Sequence, residues 1–258
     1  MTSPAKPLIA PFLDHYPEID DTAYIAETVA IVGAVRIGSN SSIWHQVTLR
    51  GDNNFITIGE GTNIQDNSCV HISSRDYPTI IGNYVNIGHC ALVHACHLHD
   101  HAFVGMGSIV MDGAIIETDG MLAAGSLLTP RKHIPARELW AGRPARKLRD
   151  LSDGEIADNR QIAQHYMEVG RAHRLRAAGG PFVDMHTHPL PPRNWACERK
   201  WLTDYMITQS MGDDWSTEVS RHNLFQPKRH AAGGSNWKYH YDRVHQHLFR
   251  RNSPQQFQ

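Results

Sequence analysis

No apolar run in this 258-residue sequence approaches the ~20 residues that a membrane-spanning helix needs, so no membrane partner is expected. Charge of one sign is also lacking. The 25 Lys+Arg balance 26 Asp+Glu to a net −1, which leaves no basic footprint for nucleic acid. Cysteine is scarce: four, without framework spacing. That excludes a disulfide scaffold and predicts a reducing compartment, the cytoplasm. The first twenty residues combine one lysine with several prolines and no apolar core of signal length, which predicts no secretion signal. What the chain does have is histidine. There are 18, eleven before residue 180 and seven after it.

An aliphatic residue recurs at every sixth position from Ile25 through Ile31, Ile37, Ile43 and Leu49. After a three-residue insertion it resumes at Ile58, Ile64 and Val70, and after a five-residue insertion at Ile81, Ile87 and Val93. One step is a residue short, to Leu98; Val104, Val110, Ile116, Leu122 and Leu128 follow. Neither helix nor hairpin has this period. A triangular β-coil does: each hexapeptide is a short strand and a corner, with the aliphatic side chain inward and small residues turning the corner. Three units make a turn, so the seventeen units predict five to six turns.

The period also places the polar residues. Arg50, His71 and His94 each follow an inward aliphatic, on successive turns, if both insertions bulge outward. They form one column, with Arg50 beginning a strand there. Gln65 and Asp66 lie one face earlier, and His89 lies one turn beyond Asp66 on that same face. His71 and His94 are therefore ~5 Å apart along the axis. His89 cannot join them within one chain. A three-fold assembly would bring it against the His71/His94 column of a neighbour, which predicts a homotrimer. Three neutral imidazoles with one open position suit a catalytic zinc; iron or cobalt would also accept them. A single surface histidine is ordinarily just solvated; two in one column weigh toward a ligand role.

Arg50-Gly51-Asp52, Asn63-Ile64-Gln65-Asp66-Asn67, His71, Gly88-His89 and His94 occur in an order that resembles the γ-class carbonic anhydrases. So do Val104-Gly105-Met106-Gly107-Ser108 and Ala141-Gly142-Arg143-Pro144-Ala145; the resemblance covers about residues 10–175. It implies a left-handed parallel β-helix, all-β, that hydrates carbon dioxide to bicarbonate with a hydroxide made available by zinc. His71, His89 and His94 then take the metal-ligand roles. Arg50 and Asp66 resemble the family's ion pair between subunits, and Asn63 and Gln65 the residues that orient water and carbon dioxide. Well-studied members carry glutamates that move the proton away. Here Asn53-Asn54 follow Asp52, and Ile72-Ser73-Ser74-Arg75 follow His71, which leaves the proton to a histidine or to buffer. Relatives of the same fold include acyl-coenzyme A thioesterases, acyltransferases and non-catalytic assembly subunits, and these stay open as alternatives.

The remaining residues say less. His97, His99 and His101 alternate on what reads as a turn. Cys69, Cys90 and Cys96 read as small apolar side chains of the coil. Pro130 and Pro135 mark the end of the strands. Ser152-Asp153-Gly154-Glu155 reads as a capping box opening a helix from Asp153 to Ala178, with Ile162, Tyr166 and Val169 as its apolar stripe. The expected organisation is a β-helix over 1–150, a helix packed on it over 151–179, and a poorly ordered, irregular extension over 180–258. The extension holds four of six tryptophans. Its Met185-His186-Thr187-His188 resembles the His-x-His strand of amidohydrolases, but ~250 residues are needed for that barrel.

Overall fold

The computed structural model describes residues 6–177 and Gly179. The expected extension over 180–258 lies outside the described residues.

The chain winds as a three-sided coil of parallel strands. The first face stacks Leu8–Ala10, the start of Ala30–Ile37, the start of Thr48–Ile58, Cys69–His71, Leu92–His94, Ile109–Val110 and Leu127–Leu128. The second face stacks Glu18–Ile19, the ends of the same two long strands, Thr79–Ile81, His97–Leu98, Ile115–Ile116 and His133–Ile134. The third begins at Tyr24–Ile25 and ends at Glu138–Gly142, which turns back on itself to pair antiparallel with Ala145–Asp150. Seven strands stack on each face, so the coil has seven turns rather than five to six.

The extra turns come from both ends. Ile19 lies six residues before Ile25, and Ile134 six after Leu128. Pro135 does not stop the strands. At the equivalent position in earlier turns the backbone N–H donates to the next turn, as His99 does to Ile116 and Glu117 to Ile134. Among the described residues nothing stacks beyond Ile134 on this face, so a residue without an N–H loses no bond there.

Ile43, Leu49, Ile64, Ile87, Val93 and Leu98 are fully buried, and the other inward aliphatics from Ile31 to Leu128 are nearly so. Each is worth roughly 1.5–3 kcal/mol of apolar burial. The corners obey a different rule from the expected one. At many corners the residue three past the inward aliphatic adopts positive φ whatever its size: Gln46, Asn67, Tyr84, His101 and Arg131 all lie between 55° and 62°. Its N–H donates to the preceding turn, Asn67 to His45 O and Cys90 to Asp66 O, both at 2.9 Å. One hydrogen bond per corner offsets the strain of the left-handed conformation.

The helix Asp153–Ala177 covers the third face. Its cap is as expected. Glu155 N–H donates to Ser152 Oγ at 3.3 Å and Ser152 N–H donates to Glu155 Oε2 at 3.0 Å. Its buried stripe is centred on Ile156, Ala163 and Gly170, one heptad apart, rather than on Ile162. Tyr166 and Val169 flank that stripe. At Gly170 the helix comes so close that an added Cβ would lie 3.1 Å from Ser42 Cβ. Trp44 fixes the approach, with Tyr166 and His173 ring centroids 5.6 and 5.3 Å away.

Ser152→Ala should lower stability by about 1 kcal/mol, read as a shift in the urea midpoint. The Arg149 hydrogen bond holds Glu155 down to about 2. Its contribution is therefore present above its unfolded value near 4.5 and is lost as pH falls toward 2. The stability gap between wild type and Glu155→Gln should close over that range.

Candidate metal centre

Strand register settles the column. Arg50 pairs with His71 and His71 with His94 across three adjacent strands of the first face. This requires both insertions to leave the coil, and they do. Between Gly33 and Val35 the register jumps from Gly51 to Ile56, which makes the first insertion a bulge. The second is a loop closed by Ser73 N–H to Tyr77 O at 3.0 Å. Arg50 is not at the start of a buried strand, as expected, but exposed within Thr48–Ile58.

His71 Nδ1 lies 3.1 Å from His94 Nε2. The far nitrogen of each ring meets a carboxylate: His94 Nδ1 is 2.6 Å from Asp112 Oδ1, and His71 Nε2 is 3.4 Å from Asp52 Oδ1. In the tautomers these contacts select, the two nitrogens that lie 3.1 Å apart are the unprotonated ones. Two nitrogens on one tetrahedral zinc stand about 3.3 Å apart, from Zn–N bonds of 2.0–2.1 Å. The pair thus fits a shared ion with little movement, and carboxylates behind ligating histidines are the usual supporting arrangement. Burial, then the Arg50 charge, holds His71 below the usual histidine range and so favours the neutral, ligating form. Burial opposes ionisation of Asp52, but its hydrogen bond and charge pairing with Arg50 outweigh that and lower it.

The two carboxylates were not singled out from sequence, although the hexapeptide period locates one of them. Asp112 lies two residues past the inward Val110, one turn beyond His94.

His89 stands apart. It lies on the third face, where its Nδ1 meets Asp66 Oδ2 at 3.0 Å. Among the described residues of one chain, no three His, Cys, Asp or Glu side chains are grouped to hold an ion. Nor does one chain bring Arg50 to Asp66 among the described residues: Arg50 pairs with Asp52, and Asp66 with His89.

Gln65 and Asn63 lie beside that column. Gln65 Nε2 donates to Asn63 Oδ1 at 3.1 Å, Asn63 Nδ2 to Asn86 Oδ1 at 2.6 Å, and Asn86 Nδ2 to the helix carbonyl of Asn159 at 2.9 Å. Asn63 is fully buried. In the protomer its side chain accepts from Gln65 and donates to Asn86. The chain of amides fixes which end of Gln65 is which, leaving Oε1 as the acceptor not tied to Asn63.

His97 and His99 are not on a turn. They flank the inward Leu98 and stack, with ring centroids 4.2 Å apart. Only His101 is a corner residue, stacked on Tyr84. Cys69 is half-buried and burial pushes its thiol up; Cys96 is buried and its thiol is raised further, while Cys90 is exposed.

No protein-family model matches the chain. A carbonic anhydrase of Geobacillus kaustophilus is 39% identical over 167 residues, covering 65% of this chain and 91% of that protein. Gamma carbonic anhydrase 1, mitochondrial, of Arabidopsis thaliana is 46% identical over 170 residues, 64% of this chain. The chain belongs to the gamma-class carbonic anhydrase family. Its coil is accordingly the left-handed β-helix of that family. A hexapeptide transferase family protein from Anaplasma phagocytophilum has a solved structure with TM-score 0.61 and 49% identity, covering 64% of this chain and 96% of that one. The chain spans 62% and 59% of the lengths of gamma carbonic anhydrases 1 and 2 of Arabidopsis thaliana. No helix among the described residues is long and apolar enough to cross a membrane.

Proposed function

We propose that this gamma carbonic anhydrase family member is a zinc enzyme, a homotrimer that interconverts carbon dioxide and bicarbonate. The observation that carries the reading is the His71–His94 pair at 3.1 Å, each ring backed by a carboxylate. His89 of a neighbouring copy completes the ligand set, because its face points away from the pair in its own chain. Zinc held there would act as a Lewis acid and bring the pKa of a water near neutrality.

The chain's own residues do the rest. Asp112 accepts the His94 Nδ1 proton and keeps Nε2 as the ligating atom. Asp52, held ionised by Arg50, does the same for His71. Gln65 Oε1 accepts a hydrogen bond from the water and turns its lone pair toward carbon dioxide. Asn63 orients Gln65 from behind. Asp66 holds His89. Arg50 and Asp66 lie on the two faces that meet in a trimer, and their pairing across that interface is part of the proposal. The cytoplasm is the proposed compartment, consistent with three free cysteines among the described residues.

Stopped-flow hydration of carbon dioxide by anaerobically purified, metal-quantified protein tests the reading. Hydration well above buffer with about one metal per chain supports it. Metal without hydration sinks it, and hydrolysis of an acyl-coenzyme A by the same preparation would replace it. Asp112→Asn should weaken metal binding about 10–100-fold, measured by chelator competition, because the amide no longer fixes the His94 tautomer.

A further inference from the structure

The third face carries one more column. Glu27, His45, Asp66 and His89 each stand two residues past an inward aliphatic (Ile25, Ile43, Ile64, Ile87), on four successive turns. The backbone stacks them directly: Asn67 N–H donates to His45 O, and Cys90 N–H to Asp66 O. Acid and imidazole alternate along the axis. His89 Nδ1 is 3.0 Å from Asp66 Oδ2, and His45 Nδ1 is 3.8 Å from Glu27 Oε2 and 3.2 Å from Thr28 Oγ1. All four side chains reach the protomer surface, His45 and Glu27 at 43% and 50% exposure and His89 and Asp66 at 43% and 33%.

We propose that His45 is the proton-transfer residue of this enzyme, carrying away the proton that each hydration releases. The inference rests on the carbonic anhydrase reading above. Hydration consumes water and carbon dioxide and yields bicarbonate and one proton. That proton must reach bulk solvent before the next turnover. The stretches after Asp52 and His71 contain no glutamate to take it. Successive turns are ~4.8 Å apart, so His45 stands about 10 Å along the axis from His89, a gap for one or two waters with Asp66 between.

Imidazole is the side chain that takes and gives protons near neutral pH. Glu27 on the preceding turn and Asp66 on the following one are the carboxylates that flank His45 in this column. The Tyr24 hydroxyl, pushed up to about 12 by burial and then by the charges of Glu27 and Asp66, stays protonated and does not compete. His173 of the helix packs on Trp44 and Tyr24, on the covered side of this face. A further exposed histidine–carboxylate pair, His133–Glu117, lies on the second face, away from this column.

The experiment is steady-state hydration by the full-length, metal-loaded protein in dilute, bulky buffer, wild type against His45→Ala and Glu27→Gln. His45→Ala should lower kcat about 100-fold, the low side of what positioned proton transfer contributes, and leave kcat/KM unchanged. Added imidazole should restore kcat in the variant and barely affect wild type. Glu27→Gln should lower kcat less. Metal content and assembly size of both variants should match wild type. An unchanged kcat in dilute buffer overturns the proposal. So does a fall in kcat and kcat/KM together without imidazole rescue, which marks a structural role. Wild-type protein without hydration overturns the carbonic anhydrase reading and His45's part with it. That outcome is told apart because it appears before any variant is compared.

Discussion

His94→Ala should remove the metal and lower carbon dioxide hydration by more than about 100-fold, beyond the range typical of losing only a supporting carboxylate. His94 is one of the two nitrogens that already share a point in the single chain, and it alone is backed by a carboxylate as close as 2.6 Å. Its loss leaves His71, still backed by Asp52, without the second imidazole of the pair. His97→Ala is the matched control. It removes a half-buried histidine three residues away whose ring stacks on His99, on another face of the coil. Metal analysis should give about one ion per chain for His97→Ala and almost none for His94→Ala. Metal retained by His94→Ala at wild-type stoichiometry would show that the ion sits elsewhere. Because a bound ion stabilises the folded state by mass action, His94→Ala should also lose the chelator-sensitive part of its thermal stability.

Much of this site could be read from a period of six because the fold is quasi-one-dimensional. A residue's offset from the nearest inward aliphatic fixes its face and column, so Arg50, His71 and His94 could be stacked by counting, and His89 separated from them. The counting failed where identity, not offset, was used to judge. Pro130 and Pro135 read as terminators, but Pro135 sits where no N–H is needed. Corners were expected to need small residues, yet Tyr84, His101 and Arg131 turn them at positive φ. The burial of Asn63 depends on a helix 90 residues later in the chain, whose Asn159 carbonyl ends the amide chain. No local pattern announces that. Asp112 was within reach of the same arithmetic as His94 and was missed because carboxylates on a coil surface are ordinarily solvated.

Gly33→Ala should cost roughly 2–6 kcal/mol, adding a strained backbone to an overpacked contact. Gly33 has φ +81°, and a Cβ there would lie 2.2 Å from the carbonyl oxygen of Gly51. Backbone cannot step aside as a side chain can. Gly33 is also where the register jumps, since Gly33 pairs with Gly51 and Val35 with Ile56. The bulge this creates carries Asp52 to within reach of His71. A fold defect at Gly33 is therefore a site defect as well. The comparison is Gly107→Ala, also at positive φ (+66°) but with nothing within 4 Å of the added carbon. Its cost should be only the backbone strain, about 1 kcal/mol. Urea denaturation of both variants separates the two contributions, and chelator competition should show weakened metal binding for Gly33→Ala alone. Equal midpoints would mean that the coil yields at Gly51, and the coupling between bulge and metal centre would fall with that result.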